Sequence, residues 1–249
     1  MELVILPLVF GILSFFIPVK WVRVSTLIFA FSSLIVGMTR LLLFDPKYME
    51  YLFHSGKVYK LGLTFEMGYD GIGIVMLALS NLVIFLVALA NFNKEEANAP
   101  RFAGLIFLMQ FGLNGLFAAQ DAVMFYIFWE LGLIPIYFIS LLWGGENAKA
   151  ITFKFFIYTL AGSLLMLFAL FYLYTQTPGE HSFAIQAFYD LSLDASTQSW
   201  LFWCIFIAFA IKIPVFPFHT WQPSTYHMNS TPGTMLLSGI MLKMGVFGV

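Results

Sequence analysis

The segment AVMFYIFWELGLIPIYFISLLW, residues 122–143, decides the fold: 22 residues with one charged side chain, Glu130. A helix crossing lipid needs about 20 mostly apolar residues at about 1.5 Å rise each. The segment therefore reads as a membrane span with an acid inside it. Asp121 stands before it as an N-cap, and Gly144-Gly145 closes it. Composition extends the reading to the whole chain. Of 249 residues, 61% are apolar and 10% charged, against about 25% charged in soluble domains. That is too little charge to clothe a soluble surface, and 30 Phe suit side chains facing acyl chains. Twelve basic against 13 acidic residues give a net charge of −1, which offers nucleic acid no footing. The one cysteine, Cys204, excludes an internal disulfide framework and a Cys-rich metal site.

Outward from this segment, further spans are expected at 102–119, 71–92, 24–44 and 3–19 on one side. On the other side they fall at 150–174, 200–221 and from about 231 to the end. The expected fold class is an all-α integral membrane protein, a polytopic bundle of about eight transmembrane helices. Met1-Glu2 offers no basic leader and no small-x-small cleavage site follows, so the first span reads as a retained helix rather than a signal peptide. Loops on one side carry Lys20, Arg23, Lys94, Arg101, Lys149 and Lys154; the other side carries Arg40, Lys47, Lys57 and Lys60. The positive-inside rule then puts the N-terminus outside. A last helix from Thr231 would rise about 28 Å with no polar flank after it. The expectation is a truncated last helix in a fragment of a longer protein.

Three ionisable residues fall deep inside spans. Counted from Asp121, Trp200 and Thr231, Glu130 lies about 14 Å deep, and Lys212 and Lys243 about 18 Å. In a hydrocarbon core about 30 Å thick, all three sit near the midplane. Each costs at least about 2.5–3.5 kcal/mol there. A purely structural ion pair accounts for one acid and one lysine, but one acid cannot neutralise two lysines. The remaining lysine needs water, another acid or loss of its proton, which is the chemistry of a proton relay. Glu130 and Lys212 are expected within ion-pair distance of each other. Lys154, only about 6 Å into its span, reads as an interfacial anchor.

Prolines accompany these charges. Pro135 leaves the Leu131 carbonyl without its usual donor, and Pro214 and Pro217 do the same for Ala210 and Ile213. Two prolines after a midplane lysine predict a break between Ala210 and Pro217, a feature common at transporter ion sites. His219, just past the break, is a candidate proton carrier because its ordinary pKa lies near 6.5. His227, His54 and His181 receive no role, and Trp129 reads as packing. There is no Walker loop, dinucleotide fingerprint or haem-attachment motif.

Together these stretches resemble the antiporter-like membrane subunits of complex I, the respiratory NADH:quinone oxidoreductase. Phe128-Trp-Glu-Leu-Gly-Leu-Ile-Pro-Ile-Tyr-Phe-Ile139 resembles their fifth helix and Lys154-Phe-Phe-Ile-Tyr-Thr-Leu-Ala-Gly-Ser163 their sixth. Residues 210–223, AIKIPVFPFHTWQP, resemble their broken seventh, and residues 236–245, LLSGIMLKMG, their eighth. Tyr69-Asp-Gly-Ile-Gly73 matches the start of their third. The Glu-x4-Pro-x-Tyr-Phe spacing and the Lys-Met-Gly ending are most similar to the subunit M branch.

The resemblance implies proton carriage by Glu130, Lys212 and Lys243, the three that depth selects. It implies about 14 helices in a full member, as two inverted five-helix repeats after three leading helices. Residues 1–92 would be the leading helices, and 102–249 an incomplete first repeat. It implies no cofactor in this chain, with redox and quinone chemistry in other subunits. The implied partners are other membrane subunits of complex I, including neighbouring antiporter-like subunits, and the lipid of a bacterial inner membrane. One departure is that residues 223–230, PSTYHMNS, lack the acid this family usually has after the seventh helix. A subunit of a multi-chain sodium/proton antiporter, or an inactive truncated membrane segment, are the competing readings.

Overall fold

The computed structural model describes residues 1–47, 49–53, 62–94, 98–179 and 181–249. Lys57 and Lys60, counted above for orientation, and His54 lie outside the described residues. The chain is helical: α1 Glu2–Ser14, α2 Val19–Leu43, α3 Gly71–Asn91, α4 Ala99–Ala118, α5 Ala122–Trp143, α6 Ala148–Gln176, α7 Ile185–Tyr189, α8 Ala195–Lys212, α9 Gln222–Met228, α10 Thr231–Leu236 and α11 Leu242–Gly248. Among the described residues, six helices (α2, α3, α4, α5, α6 and α8) are long and apolar enough to cross a membrane. The other two expected spans are shorter pieces. α1 has 13 residues, and the last span is assembled from α10, a π turn at Leu237–Met241, and α11.

The helix starts follow local chemistry. Asp70 caps α3 by accepting from Gly73 N at 2.7 Å. Asp194 caps α8 by accepting from Thr197 N at 3.0 Å, and hydrogen bonding with Thr197 holds its carboxyl below the usual Asp range. Asp121, fully buried, caps α5 by accepting from Val123 N at 2.9 Å and Met124 N at 3.2 Å. Its second oxygen accepts from Thr64 N and Thr64 Oγ1, both at 2.9 Å, tying the preceding loop to the start of α5. Replacing Asp121 with Ala removes the cap and both bonds from Thr64, about 2–4 kcal/mol together. The thermal midpoint of the purified protein in detergent should fall clearly for Asp121→Ala and less for Asp121→Asn.

α4 is the central helix, packed against α1, α3 and α5, with α6 and α8 beyond α5. Its buried face holds the polar side chains Gln110 and Asn114. Gln110 Nε2 donates to Asn81 Oδ1 of α3 at 2.5 Å, and Asn114 Nδ2 donates to the Leu3 carbonyl of α1 at 2.7 Å. In an apolar surround such interhelical bonds are worth about 0.6 kcal/mol each, up to about 1.7. They join the leading helices to α4. The outer faces carry exposed Phe31, Phe153, Phe168, Phe202 and Trp203, as lipid contact requires. Before α3, the described residues include two short paired strands. β1 Glu50–Phe53 pairs antiparallel with β2 Met67–Tyr69, and Met67 bridges Ala119.

Candidate functional site

α5 carries Glu130 to the junction of α5, α6 and α8. The helix runs unbroken through Pro135, because a lone proline deletes one donor and the turns on either side hold the register. Pro135 is therefore not a point of interruption. The depth of Glu130 is set against α4 by direct backbone contact. A Cβ added at Gly112 would lie 2.7 Å from Gly132 N, so only glycine lets the two helices meet there.

The expected break is present. α8 stops at Lys212 and helix resumes only with a 3-10 turn at Phe218–Trp221. Pro214 cannot serve the Ala210 carbonyl, which instead accepts from Val215 N at 2.9 Å. That shift leaves the Ile211 carbonyl, and the Trp221 indole Nε1 donates to it at 2.9 Å. The side chain of a residue past the break thus satisfies the helix end before it, as buried backbone requires.

Lys212 is the last residue of α8 and only 1% exposed. A cation suits a helix C-terminus, where the unpaired carbonyls concentrate negative potential. Its Nζ has no hydrogen-bond partner among the described residues. It lies 5.4 Å from the ring centroid of Trp129, within cation–π range. Glu130, next to Trp129, is within Coulombic range of Lys212, and its Oε1 is likewise buried and unpartnered. No ion pair within 4.0 Å joins them, so the expected direct contact does not form. The Trp129 ring takes the place beside the ammonium that the carboxylate was expected to fill.

Lys243 follows the π turn and is half-buried, its Nζ donating to the Ser238 carbonyl within that turn. A π turn releases carbonyls from the α-helical ladder, and such turns recur at functional sites. Gly245 presses α11 onto the end of α8, since an added Cβ would lie 3.2 Å from Lys212 Cβ. The two lysine-bearing helices are thereby in contact. His219 is half-buried past the break, with an unpartnered buried Nδ1 and its ring 5.6 Å from Phe216. Lys154 is exposed and donates to the Thr220 carbonyl at 3.3 Å. Among the described residues no group of three or more His, Cys, Asp or Glu converges.

The fold and this seam define a polytopic membrane protein with an acid inside one span and lysines beside the interruptions of two others. Residues 119–249, just over half of the chain, match the transmembrane family described as NADH:quinone oxidoreductase/Mrp antiporter, TM, and the chain belongs to that family. It is 36% identical to F(420)H(2) dehydrogenase subunit M of Methanosarcina mazei, over 99% of this chain and 51% of that protein. It is 34% identical to NADH-quinone oxidoreductase subunit M of Rickettsia felis, over 93% of this chain and 47% of the relative. Among solved structures it is similar to a chain of respiratory complex I from Thermus thermophilus with bound NADH. There the TM-score is 0.84 at 30% identity, covering 99% of this chain and 50% of that one. A chain of an archaeal membrane-bound sulfane sulfur reductase shares the fold, with a TM-score of 0.85 at 18% identity, covering 99% of this chain and 51% of that one. The chain spans about half the length of these relatives.

Proposed function

We propose that this chain forms part of the proton path of a membrane-embedded respiratory oxidoreductase, of the NADH:quinone type. Other subunits oxidise the donor and reduce quinone; this one carries protons through Glu130, Lys212 and Lys243, with His219 beyond the break. The observation that carries the reading is the buried, unpartnered Lys212 in Coulombic range of an equally unpartnered carboxylate, immediately before a helix break. An ammonium held by a ring face rather than a carboxylate is free to exchange its proton as the carboxylate approaches or withdraws. The relatives favour an oxidoreductase over a subunit of a multi-chain sodium/proton antiporter, since both curated ones cited above are named as oxidoreductase subunits. Their different names, one F(420)H(2) and one NADH, suggest that the membrane path is shared whatever the electron donor. Residues 1–92 would act as leading helices and 102–249 as a first helical repeat. The setting would be a bacterial inner membrane, with the N-terminus outside and neighbouring antiporter-like subunits as partners.

The test is Glu130→Gln in the assembled complex, which keeps the shape and removes the ionisable group. Pumping into sealed vesicles should fall by about tenfold or more, with electron transfer from the peripheral arm to an artificial acceptor unchanged. Normal pumping by an intact complex would refute the reading.

A further inference from the structure

Trp129 directly precedes Glu130, and the two side chains leave α5 about 100° apart. They offer the Lys212 ammonium two different seats, a ring face and a carboxylate. The structure shows the first one taken. Lys212 Nζ lies 5.4 Å from the Trp129 ring centroid, while Nζ and Glu130 Oε1 are both buried without a hydrogen-bond partner. The ring is itself held in place. It is 2% exposed and packs on Phe125, one turn earlier on α5, at 5.9 Å and on Phe209 of α8 at 5.5 Å. Phe209 stands three residues before Lys212, on the same face of α8, so one helix supplies both the ammonium and a wall for the ring. α11 closes on this end of α8, since a Cβ added at Gly245 would lie 3.0 Å from the Phe209 carbonyl oxygen.

We propose that Trp129 is a positioning residue of the proton path: its ring face holds the Lys212 ammonium off Glu130 and sets the open state of the pair. With the backbone of α8 pressed by α11, the long Lys212 side chain is the part that moves between the two seats. A desolvated ammonium gains most from an indole face, less from a phenyl ring and nothing comparable from an aliphatic side chain. Without the ring, the ammonium passes to the carboxylate. A buried contact pair resists separation, so the proton stays where it is. With the ring, the pair reopens and the proton moves on. Trp129 carries no proton itself.

This rests on the reading of Glu130 and Lys212 as proton carriers, and the experiment separates the two. The membrane-embedded complex is labelled with ¹⁵Nζ-lysine and ¹³Cδ-glutamate, and the Lys212–Glu130 dipolar coupling is assigned by its loss in Lys212→Arg and in Glu130→Gln. The coupling should be weak in the native complex and several-fold stronger in Trp129→Leu, with pumping into sealed vesicles lowered about tenfold. Trp129→Phe should fall between them in both readouts. Trp203→Leu, on α8 but exposed on its outer face, should change neither. Loss of packing alone would lower the amount of complex without bringing Nζ to the carboxylate. If Trp129→Leu does not assemble, Trp129→Phe decides, and native coupling and pumping in it overturn the proposal. If Glu130→Gln stops pumping while the Trp129 variants match the native complex in both readouts, the Trp129 role is overturned and the relay stands. If Glu130→Gln itself pumps normally, the relay falls, and Trp129 with it.

Discussion

Lys212→Ala is expected to lower proton pumping by the assembled complex by about tenfold or more, while Lys154→Ala lowers it only slightly. Truncation at Lys212 removes the one ammonium beside the Trp129 ring and leaves Glu130 buried without its counter-charge. An uncompensated buried charge costs about 3–5 kcal/mol, so assembly must be checked beside activity. Lys154 is exposed and spends its donor on the Thr220 carbonyl, a bond that water or a headgroup replaces. Lys243→Ala should fall between them, because Lys243 is half-buried and already satisfied by the Ser238 carbonyl. A pH-sensitive dye in sealed vesicles reads all three, with electron transfer to an artificial acceptor as the control.

The second large effect concerns packing. Gly112→Ala should reduce the amount of assembled complex several-fold, whereas Gly132→Ala should be tolerated. Gly112 points at the backbone of Gly132, whereas Gly132 points away from it, toward Met244. A methyl on Gly112 meets the backbone of Gly132 at 2.7 and 2.9 Å. Backbone cannot rotate away, so α4 and α5 must separate, a strain of about 1–3 kcal/mol, enough to change abundance in cells. A methyl on Gly132 meets only the flexible end of Met244 at 3.7 Å, an ordinary contact. Quantifying the intact complex on native gels tests the pair. Equal loss from both variants would contradict this contact geometry.

Much of this arrangement was legible in residue order, for identifiable reasons. A 22-residue apolar run behind an Asp gives α5 both its ends, because length and capping are local properties. The break after Lys212 was legible because two missing backbone donors within four residues cannot be absorbed by one helix. What depends on side-chain direction was not legible. Trp129 looked like one more aromatic in a chain with 30 Phe, and nothing local shows that its ring faces Lys212. The polar clasp of Asn81, Gln110 and Asn114 carries no charge that would set it apart in the sequence. The π turn before Lys243 carries no proline to announce it, and Gly112 matters only because Gly132 stands opposite. β1 was not foreseen because its partner strand, Met67–Tyr69, is three residues long, too short for an alternating pattern.

The proton on Lys212 can be observed directly. With ¹⁵N-labelled lysine in the membrane-embedded complex, the Lys212 side-chain resonance is identified by its absence in Lys212→Arg. A proton-carrying Lys212 gives a signal that moves between ammonium and amine positions when the complex is driven through turnover, and this movement is lost in Glu130→Gln. A resonance fixed in one form at rest and in turnover, in a complex that pumps normally, would show that Lys212 holds helices together and carries no proton.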